Sequence, residues 1–499
     1  MENRIYGIIA IGIAVLLYAL AFKNYKKENY SNCLYFILIG GFLLRIYTSM
    51  DFYLHEWDER FHALVAKNLL NHPLKPMLYT VPLLEYDYKN WAGNHIWVHK
   101  QPVPLYSIAL SLLIFGKNTI ALRFPSIILS TISIFATFKI GKILTSSKVG
   151  ILAAFLFSIN GLIIESTAGR VATDHIDVFF YSLVTISVYL LLRSVENNST
   201  KSLILGAMCT GLAILSKWLP ALIVVPVWVL FAYPKQSIKR IFSNLILFSL
   251  IILTVVIPWQ IYIVNSFPLE AAWEYEYNKK HIFEALGPHG KPFYYHFNRM
   301  RIIFGEIIYL PLIWLIIVGF KQFQNKKYSK LIITIWILIP YLFFSIVVTK
   351  MSGYILFCSA AIFIMTAMFF YELKSYKTKF KSLKNLILIL LIALPIRYSI
   401  ERIKPFSIRE RCPTWISEMK LIDSTKENPK AVVFNCKYPI ETMFHTNLIA
   451  YETTPEIGIL KSIRNEGYKI YIDNHKKLRN ELSNLEIVNY IEVTGHNTR

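Results

Sequence analysis

Three carboxylates crowd the segment Leu54-His-Glu-Trp-Asp-Glu-Arg-Phe-His62: Glu56, Asp58 and Glu59. Such a cluster can supply a general base, bind a divalent cation, or simply be solvated. Trp57, Phe61 and the Ala-Leu-Val-Ala run behind them predict an amphipathic helix that holds the acids at an apolar boundary. Farther along, Asn94-His-Ile-Trp-Val-His-Lys-Gln-Pro-Val-Pro-Leu-Tyr106 carries His95 and His99 four apart, a spacing that on a helix places both on one face. Lys100 directly precedes a helix start marked by Pro102, where a cation and the helix N-terminus can jointly receive a phosphate. Taken alone, Lys100 reads equally as a lysine snorkelling to the head-group level.

Three further stretches carry candidate chemistry. Glu165-Ser-Thr-Ala-Gly-Arg-Val-Ala-Thr-Asp-His-Ile-Asp177 puts Arg170, Asp174 and Asp177 at the mouth of an apolar run, where ionisable groups are costly and usually face a cavity. Asp177 reads there as an ion-pair partner inside a helix bundle. Tyr275-Glu-Tyr-Asn-Lys-Lys-His-Ile-Phe283 and Gly287-Pro-His-Gly-Lys-Pro-Phe-Tyr-Tyr-His296 mix tyrosine, histidine and lysine. That mixture suits stacking on a sugar and bonding to phosphate, and an interfacial aromatic belt has the same composition. Thr349-Lys-Met-Ser-Gly-Tyr354 is a short turn with one cation and one tyrosine.

These pieces are strung between long apolar runs. Hydrophobic residues make up 55% of the 499, charged residues only 17%, and the mean hydropathy of +0.44 excludes a soluble globule of ordinary composition. Runs near 5–22, 32–49, 119–140, 149–164, 177–194, 202–216, 219–233, 241–258, 303–320, 331–348, 353–373 and 384–400 predict about twelve membrane spans. The first, followed by Lys23, Lys26 and Lys27 with no small-residue cleavage site, reads as a retained span. Val103 to Phe115 is too short to cross and reads as an interfacial or partly inserted helix.

The net charge of +22 would suggest nucleic acid in a soluble chain. Here the excess lysines and arginines fall in alternate connectors, which the positive-inside rule assigns to the cytoplasm. Nucleic acid is therefore not expected as a partner, and both termini and the long connectors 50–102 and 259–301 belong outside. Beyond about residue 402 the composition becomes that of a soluble unit. Ala431–Cys436, Leu448–Tyr451, Lys469–Asp473 and Leu485–Tyr490 read as strands separated by helices near 438–446, 455–466 and 475–483. This predicts a polytopic α-helical membrane domain, 1–402, and a small parallel α/β domain, 403–499, on the outer face. No Gly-rich phosphate loop follows its first strand. Cys412 and Cys436 can pair in an oxidising compartment or remain thiols.

In this order, the motifs resemble those of the GT-C membrane glycosyltransferases, the dolichyl-phosphate-mannose–protein mannosyltransferases (glycosyltransferase family 39) and the lipid A aminoarabinose transferases among them. The resemblance covers roughly 50–370 and rests on Asp58-Glu59, His99-Lys-Gln-Pro-Val-Pro-Leu105, Leu122-Arg-Phe-Pro-Ser126, Leu215-Ser-Lys-Trp218, Pro258-Trp259 and the Lys350 to Tyr354 turn. It implies a GT-C fold and transfer of a sugar from a polyprenyl-phosphate donor to a lipid, glycan or protein acceptor. The reaction would take place at the periplasmic face of a bacterial inner membrane and serve the cell envelope. Asp58 matches the catalytic base, Glu59 the second acidic position, and Asp174 falls near a further functional carboxylate. Lys100 and Tyr354 match donor-phosphate contacts. His99 and His281 occupy positions similar to the glutamate and histidine that hold a metal in the aminoarabinose enzyme. The chain departs from the pattern at His99, which replaces an acid, at Phe283-Glu284, where relatives often carry arginine, and at Trp218, which replaces glycine. Neutralisation of the phosphate is therefore expected from Lys100 with Arg299 or Arg301, and a divalent metal is the weaker expectation. The competing class is a transporter or flippase of a lipid-linked saccharide, which predicts charges near span midpoints and repeated halves. No internal repeat is evident, and the acids gather in the outer connectors.

Overall fold

The computed structural model describes residues 3–172, 174–324, 328–423, 430–474 and 485–493. Helices stand at all twelve places where the sequence predicts a span. Polar residues between the apolar runs cap them: Asn29, Asn118, Ser146, Asn160 and Ser199 each accept a hydrogen bond from a backbone N–H of the helix they precede. Seven helices among the described residues are long and apolar enough to cross a membrane, or eight with the bent pair Ser147–Ile159 and Gly161–Thr167 counted as one span. This is below the expected twelve, for physical reasons. Leu219–Ala232 and Glu306–Gly319 are short, Thr200–Lys217 has a lysine near each end, and Lys381–Ile403 carries Lys381, Lys384, Arg397, Glu401 and Arg402. The expected interfacial segment is the helix Pro102–Phe115, with Pro102 at its first turn and Leu110, Leu113, Ile114 and Phe115 exposed.

The connectors sort into two groups in space. Those with the cationic bias meet one another through Lys148–Glu28 at 2.9 Å, Lys330–Glu372 at 2.8 Å and Lys235–Glu196. The segment 50–102 instead meets the C-terminal unit. That unit is a four-stranded parallel sheet in the order β2-β1-β3-β4, with β1 Ala431–Phe434, β2 Ile449–Ala450, β3 Lys469–Asp473 and β4 Asn489–Ile491. Three strands stand at the expected places, although β2 is only two residues long, and the fourth begins at Asn489 rather than Leu485, because 485–488 forms a turn. Helices Pro439–His445 and Ile457–Asn465 stand where they were predicted, and the one expected near 475–483 lies outside the described residues. Cys412 is exposed, Cys436 is buried, and both are free thiols.

One apolar cluster joins the two parts: Leu54, Phe61, Leu64 and Trp97 of the first long connector pack with Trp415, Val433, Tyr438 and Met443. Polar contacts reinforce it. Tyr79 Oη donates to the Ala450 carbonyl at 3.2 Å, Tyr451 Oη accepts from the Leu83 N–H at 2.8 Å, and Lys67 Nζ donates to the Met443 carbonyl at 2.6 Å. The C-terminal sheet is thereby seated on the segment that carries Asp58.

Candidate active site

The expected amphipathic helix is Glu59–Leu69, and Asp58 is its N-cap residue. Every residue of that helix except Arg60 and Lys67 is buried. The two adjacent acids at its start meet opposite fates. Asp58 is half-buried on the wall of a cavity of about 540 Å³, with Lys100 Nζ at 3.4 Å. Burial by itself would raise the Asp58 carboxyl, but the Lys100 ammonium foremost outweighs it and holds the group down at about 2. Glu59 is fully buried and does not line the cavity. Its Oε1 accepts from Arg123 Nε at 2.6 Å and its Oε2 from Arg123 Nη2 at 2.9 Å, with His55 Nδ1 at 2.6 Å and His175 Nε2 at 3.3 Å. Burial raises its carboxyl, yet the Arg123 guanidinium and His55 keep it well below the usual range. Glu59 is an anchor, and its expected place among the catalytic groups is corrected accordingly.

Arg123 explains why the anchor works. Besides Glu59 it donates to the carbonyls of Ser49, Asp51 and Tyr53, so one buried guanidinium fixes the irregular stretch leading to Asp58. Asp51 extends the network to His55 at 3.2 Å, Arg170 at 3.0 Å, Arg411 at 3.5 Å and Arg409. Gly169 closes it from the other side. Its φ is +75°, and a Cβ there would lie 2.0 Å from Glu59 Oε1. The 54° bend at Asn160 delivers this glycine to the site.

The cavity wall is mostly aromatic and cationic. Trp91, His99, Lys100, Lys217, Trp218, Tyr275, Tyr277, His281 and Tyr354 line it with Asp58. Trp91 stacks on the His99 ring, with centroids 4.6 Å apart and planes 7° apart. His99 Nδ1 lies 2.9 Å from Glu274 Oε2, and because a carboxylate only accepts, that nitrogen carries the proton. Burial and then Lys100 push the His99 imidazole down, while Glu274 opposes them. A second, apolar groove of about 430 Å³ shares Leu219, Pro220, Phe343 and Phe344 with the cavity and continues along Leu222, Pro226, Ile339 and Pro340. The site thus joins an aromatic chamber that carries lysines and one carboxylate to an oily slot.

Residues 99–262 match the dolichyl-phosphate-mannose-protein mannosyltransferase family. The chain is 25% identical over 289 residues to undecaprenyl phosphate-alpha-4-amino-4-deoxy-L-arabinose arabinosyl transferase 2 of Pseudomonas fluorescens, covering 54% of this chain and 50% of that one. It is 25% identical to the corresponding transferase of Enterobacter sp. over 366 residues, covering 68% of this chain and 59% of that one. Its fold is that of ArnT from Cupriavidus metallidurans bound to undecaprenyl phosphate, with TM-score 0.59 and 11% identity over 86% of this chain and 87% of that one. The chain shares that transferase fold. A further likeness in fold is to the archaeal oligosaccharyltransferase AglB from Archaeoglobus fulgidus, in complex with an inhibitory peptide and a dolichol-phosphate, at TM-score 0.54 and 12% identity over 85% of this chain and 65% of that one. The chain spans about half the length of the first curated relatives it matches.

Against the GT-C pattern, the structure brings Asp58, Lys100, His99, His281 and Tyr354 to one cavity. It does not bring Asp174, Arg299 or Arg301 there. Asp174 is fully buried with Oδ1 3.1 Å from His62 Nδ1, itself fully buried. Arg299 lies over the Tyr295 ring at 5.4 Å, and Arg301 is exposed, so neither reaches the cavity wall. The His95/His99 spacing does not form a helical pair, because 94–100 is non-helical and His95 turns instead to the Tyr79 carbonyl. His99 is engaged with Glu274, and His281 Nδ1 donates to the Tyr277 carbonyl at 3.0 Å. Among the described residues no three histidine, cysteine or acidic groups converge as a metal-binding set. His99 and His281 thus lack a third ligating side chain among the described residues, a donor set too small for a resident divalent cation, and no step is derived through one. Asp177, expected as an ion-pair partner, pairs with Lys217. Glu274 and the Arg123 anchor escaped the residue-level reading. Arg123 had a signal in its Arg-Phe-Pro-Ser motif, and Glu274 had one in its spacing of seven from His281 on the helix Pro268–Phe283.

Proposed function

We propose that the chain is an integral membrane glycosyltransferase that takes a sugar from a polyprenyl-phosphate donor and passes it to a hydroxyl or amine acceptor. The observation that carries this reading is the Lys100–Asp58 pair on an aromatic-lined cavity that shares its wall with an apolar groove. A lipid tail in the groove confines the donor, so the protein needs only to align sugar C1 with the acceptor. The donor phosphate sits against Lys100 and the Tyr354 hydroxyl, and the aromatic wall of Trp91, Tyr275 and Tyr277 receives the sugar face. The acceptor oxygen or nitrogen attacks C1 as the bond from C1 to the phosphate oxygen breaks. The acceptor proton passes to Asp58, the lipid phosphate leaves with the bonding pair, and the anomeric configuration inverts. The matched family and the transferase relatives, whose names specify an undecaprenyl phosphate-linked aminoarabinose, support the donor class.

The same reading places all twelve helices in or along the bilayer. It sets the boundary of the membrane domain at 402, and puts the cavity and the 403–499 unit at the periplasmic face of a bacterial inner membrane. The charge bias of the connectors supports that orientation. Purified protein in vesicles, given radiolabelled polyprenyl-phosphate sugars and a mixture of lipid, glycan and peptide acceptors, tests the class. Label moved to an acceptor with inverted anomeric configuration is the expected result. Label carried across the bilayer while still on its lipid makes the protein a flippase.

A further inference from the structure

The cavity wall carries two further lysines that the reading above does not use: Lys279, exposed and 3.7 Å from Glu276, and the more enclosed Lys217. Lys217, at the end of the helix Thr200–Lys217, lines the same chamber as Lys100 and lies over the Tyr354 ring at 4.4 Å. Each lysine already has a carboxylate: Lys100 has Asp58, and Lys217 has the buried Asp177. Asp58, Lys100 and Lys217 line the chamber and Asp177 is buried behind Lys217, so these four groups bring it no net charge. A phosphate that enters cannot simply fill an empty positive site. It must compete for cations that are already neutralised, in surroundings where charge pairs interact several times more strongly than in water.

We propose that the donor phosphate enters by counterion exchange, taking the ammonium groups of Lys100 and Lys217 from Asp58 and Asp177 and so releasing Asp58 to accept the acceptor proton. The proposal rests on the lipid-phosphate reading and adds Lys217 as a second phosphate-binding cation. It also gives the reaction an order. While Lys100 holds Asp58, the carboxylate is stabilised as an anion and is a poor proton acceptor. Once the phosphate oxygens take over the ammonium, the carboxylate is left beside the acceptor with its partner withdrawn. The base is thus switched on by the substrate whose leaving group must depart, and an acceptor arriving first finds it blocked. Once the donor is bound, the freed base can activate water as well as an acceptor, so the aromatic wall must exclude water.

The exchange makes a prediction opposite in sign to that of an ordinary binding residue. Removing a competing carboxylate should tighten phosphate binding. Binding of polyprenyl phosphate and of the uncharged polyprenol is measured on the full-length protein in nanodiscs, and the ratio of the two affinities isolates the phosphate. Asp58→Asn and Asp177→Asn are each expected to raise that ratio, roughly 10-fold, and Lys217→Met to lower it by a similar factor. Glu274→Gln is the control for general repulsion, because Glu274 stands beside the cavity but pairs with His99 rather than with either lysine. Its ratio should stay at the wild-type value. An unchanged or lowered ratio in Asp58→Asn, or equal tightening in Glu274→Gln, overturns the exchange while leaving the donor class intact. Wild-type protein that does not distinguish the phosphate from the alcohol overturns both. Asp58 is half-buried at a helix start, so Asp58→Asn carries the test even if Asp177→Asn fails to fold.

Discussion

Asp58 and Glu59 are neighbours in the chain and strangers in the structure. Asp58 opens onto a cavity and holds a half-buried lysine at 3.4 Å, whereas Glu59 is sealed behind it in a lattice of Arg123, His55 and His175. The difference follows from the helix that starts between them. Successive residues at a helix start diverge by about 100° around the axis, so one acid faces outward and the other faces the core. A single acidic motif thus divides into a group that can exchange a proton with a ligand and a group that fixes where the first one points.

That contrast can be broken from the buried side first. Arg123→Met leaves the Glu59 carboxylate buried without its guanidinium partner and frees three carbonyls of the 49–53 stretch. A loss of about 3–5 kcal/mol in stability is expected, read as a fall in melting temperature and in the folded yield from membranes. Melting at the wild-type temperature would mean that the lattice is not what holds the segment. A smaller break comes from Gly169→Ala. The added Cβ meets Glu59 Oε1 at 2.0 Å in a backbone with φ of +75°, so a cost of about 1–3 kcal/mol is expected, with any lost activity tracking lost folded protein. Gly169→Ala that melts like wild type would show that the loop yields freely.

The exposed side is sharpened by pH. With Lys100 present, Asp58 ionises near 2, so kcat/KM should show no acid limb from this group above about pH 4. Its depressed value also means that its share of stability is fully present above the unfolded carboxylate range and is lost only as pH falls through about 2. In Lys100→Met burial acts without its main opponent, and the limb should move up by at least one pH unit. A limb in the same place in both proteins would show that Lys100 does not set the charge on Asp58.

Hydropathy and alternation alone carry much of the fold. The apolar runs locate every helix long and apolar enough to cross a membrane, and the strand and helix rhythm after 430 gives the parallel sheet, because both patterns report burial on a local period. What fails is what depends on distance. Asp58 and Lys100 are 42 positions apart, and no local pattern states that they meet; only the resemblance linked them. Asp58 and Glu59 look alike because adjacency hides which face each will take. Arg299 and Arg301 were reasonable cations for an anionic ligand, but the helix Tyr295–Phe304 buries His296 and Met300 and turns both arginines away from the cavity wall. The span count exceeded the helices that can cross unaided because hydropathy registers apolar length and does not register whether a short or charged helix leans on its neighbours.

The most direct measurement sets the two acids side by side. Asp58→Asn and Glu59→Gln are purified in the same lipid, their folded fractions are determined by melting, and transfer from a labelled polyprenyl-phosphate sugar is expressed per folded molecule. Asp58→Asn is predicted to melt like wild type and to lose transfer by on the order of 10²–10⁴, while Glu59→Gln loses melting temperature and keeps most of its transfer per folded molecule. Wild-type transfer by a fully folded Asp58→Asn would contradict the account.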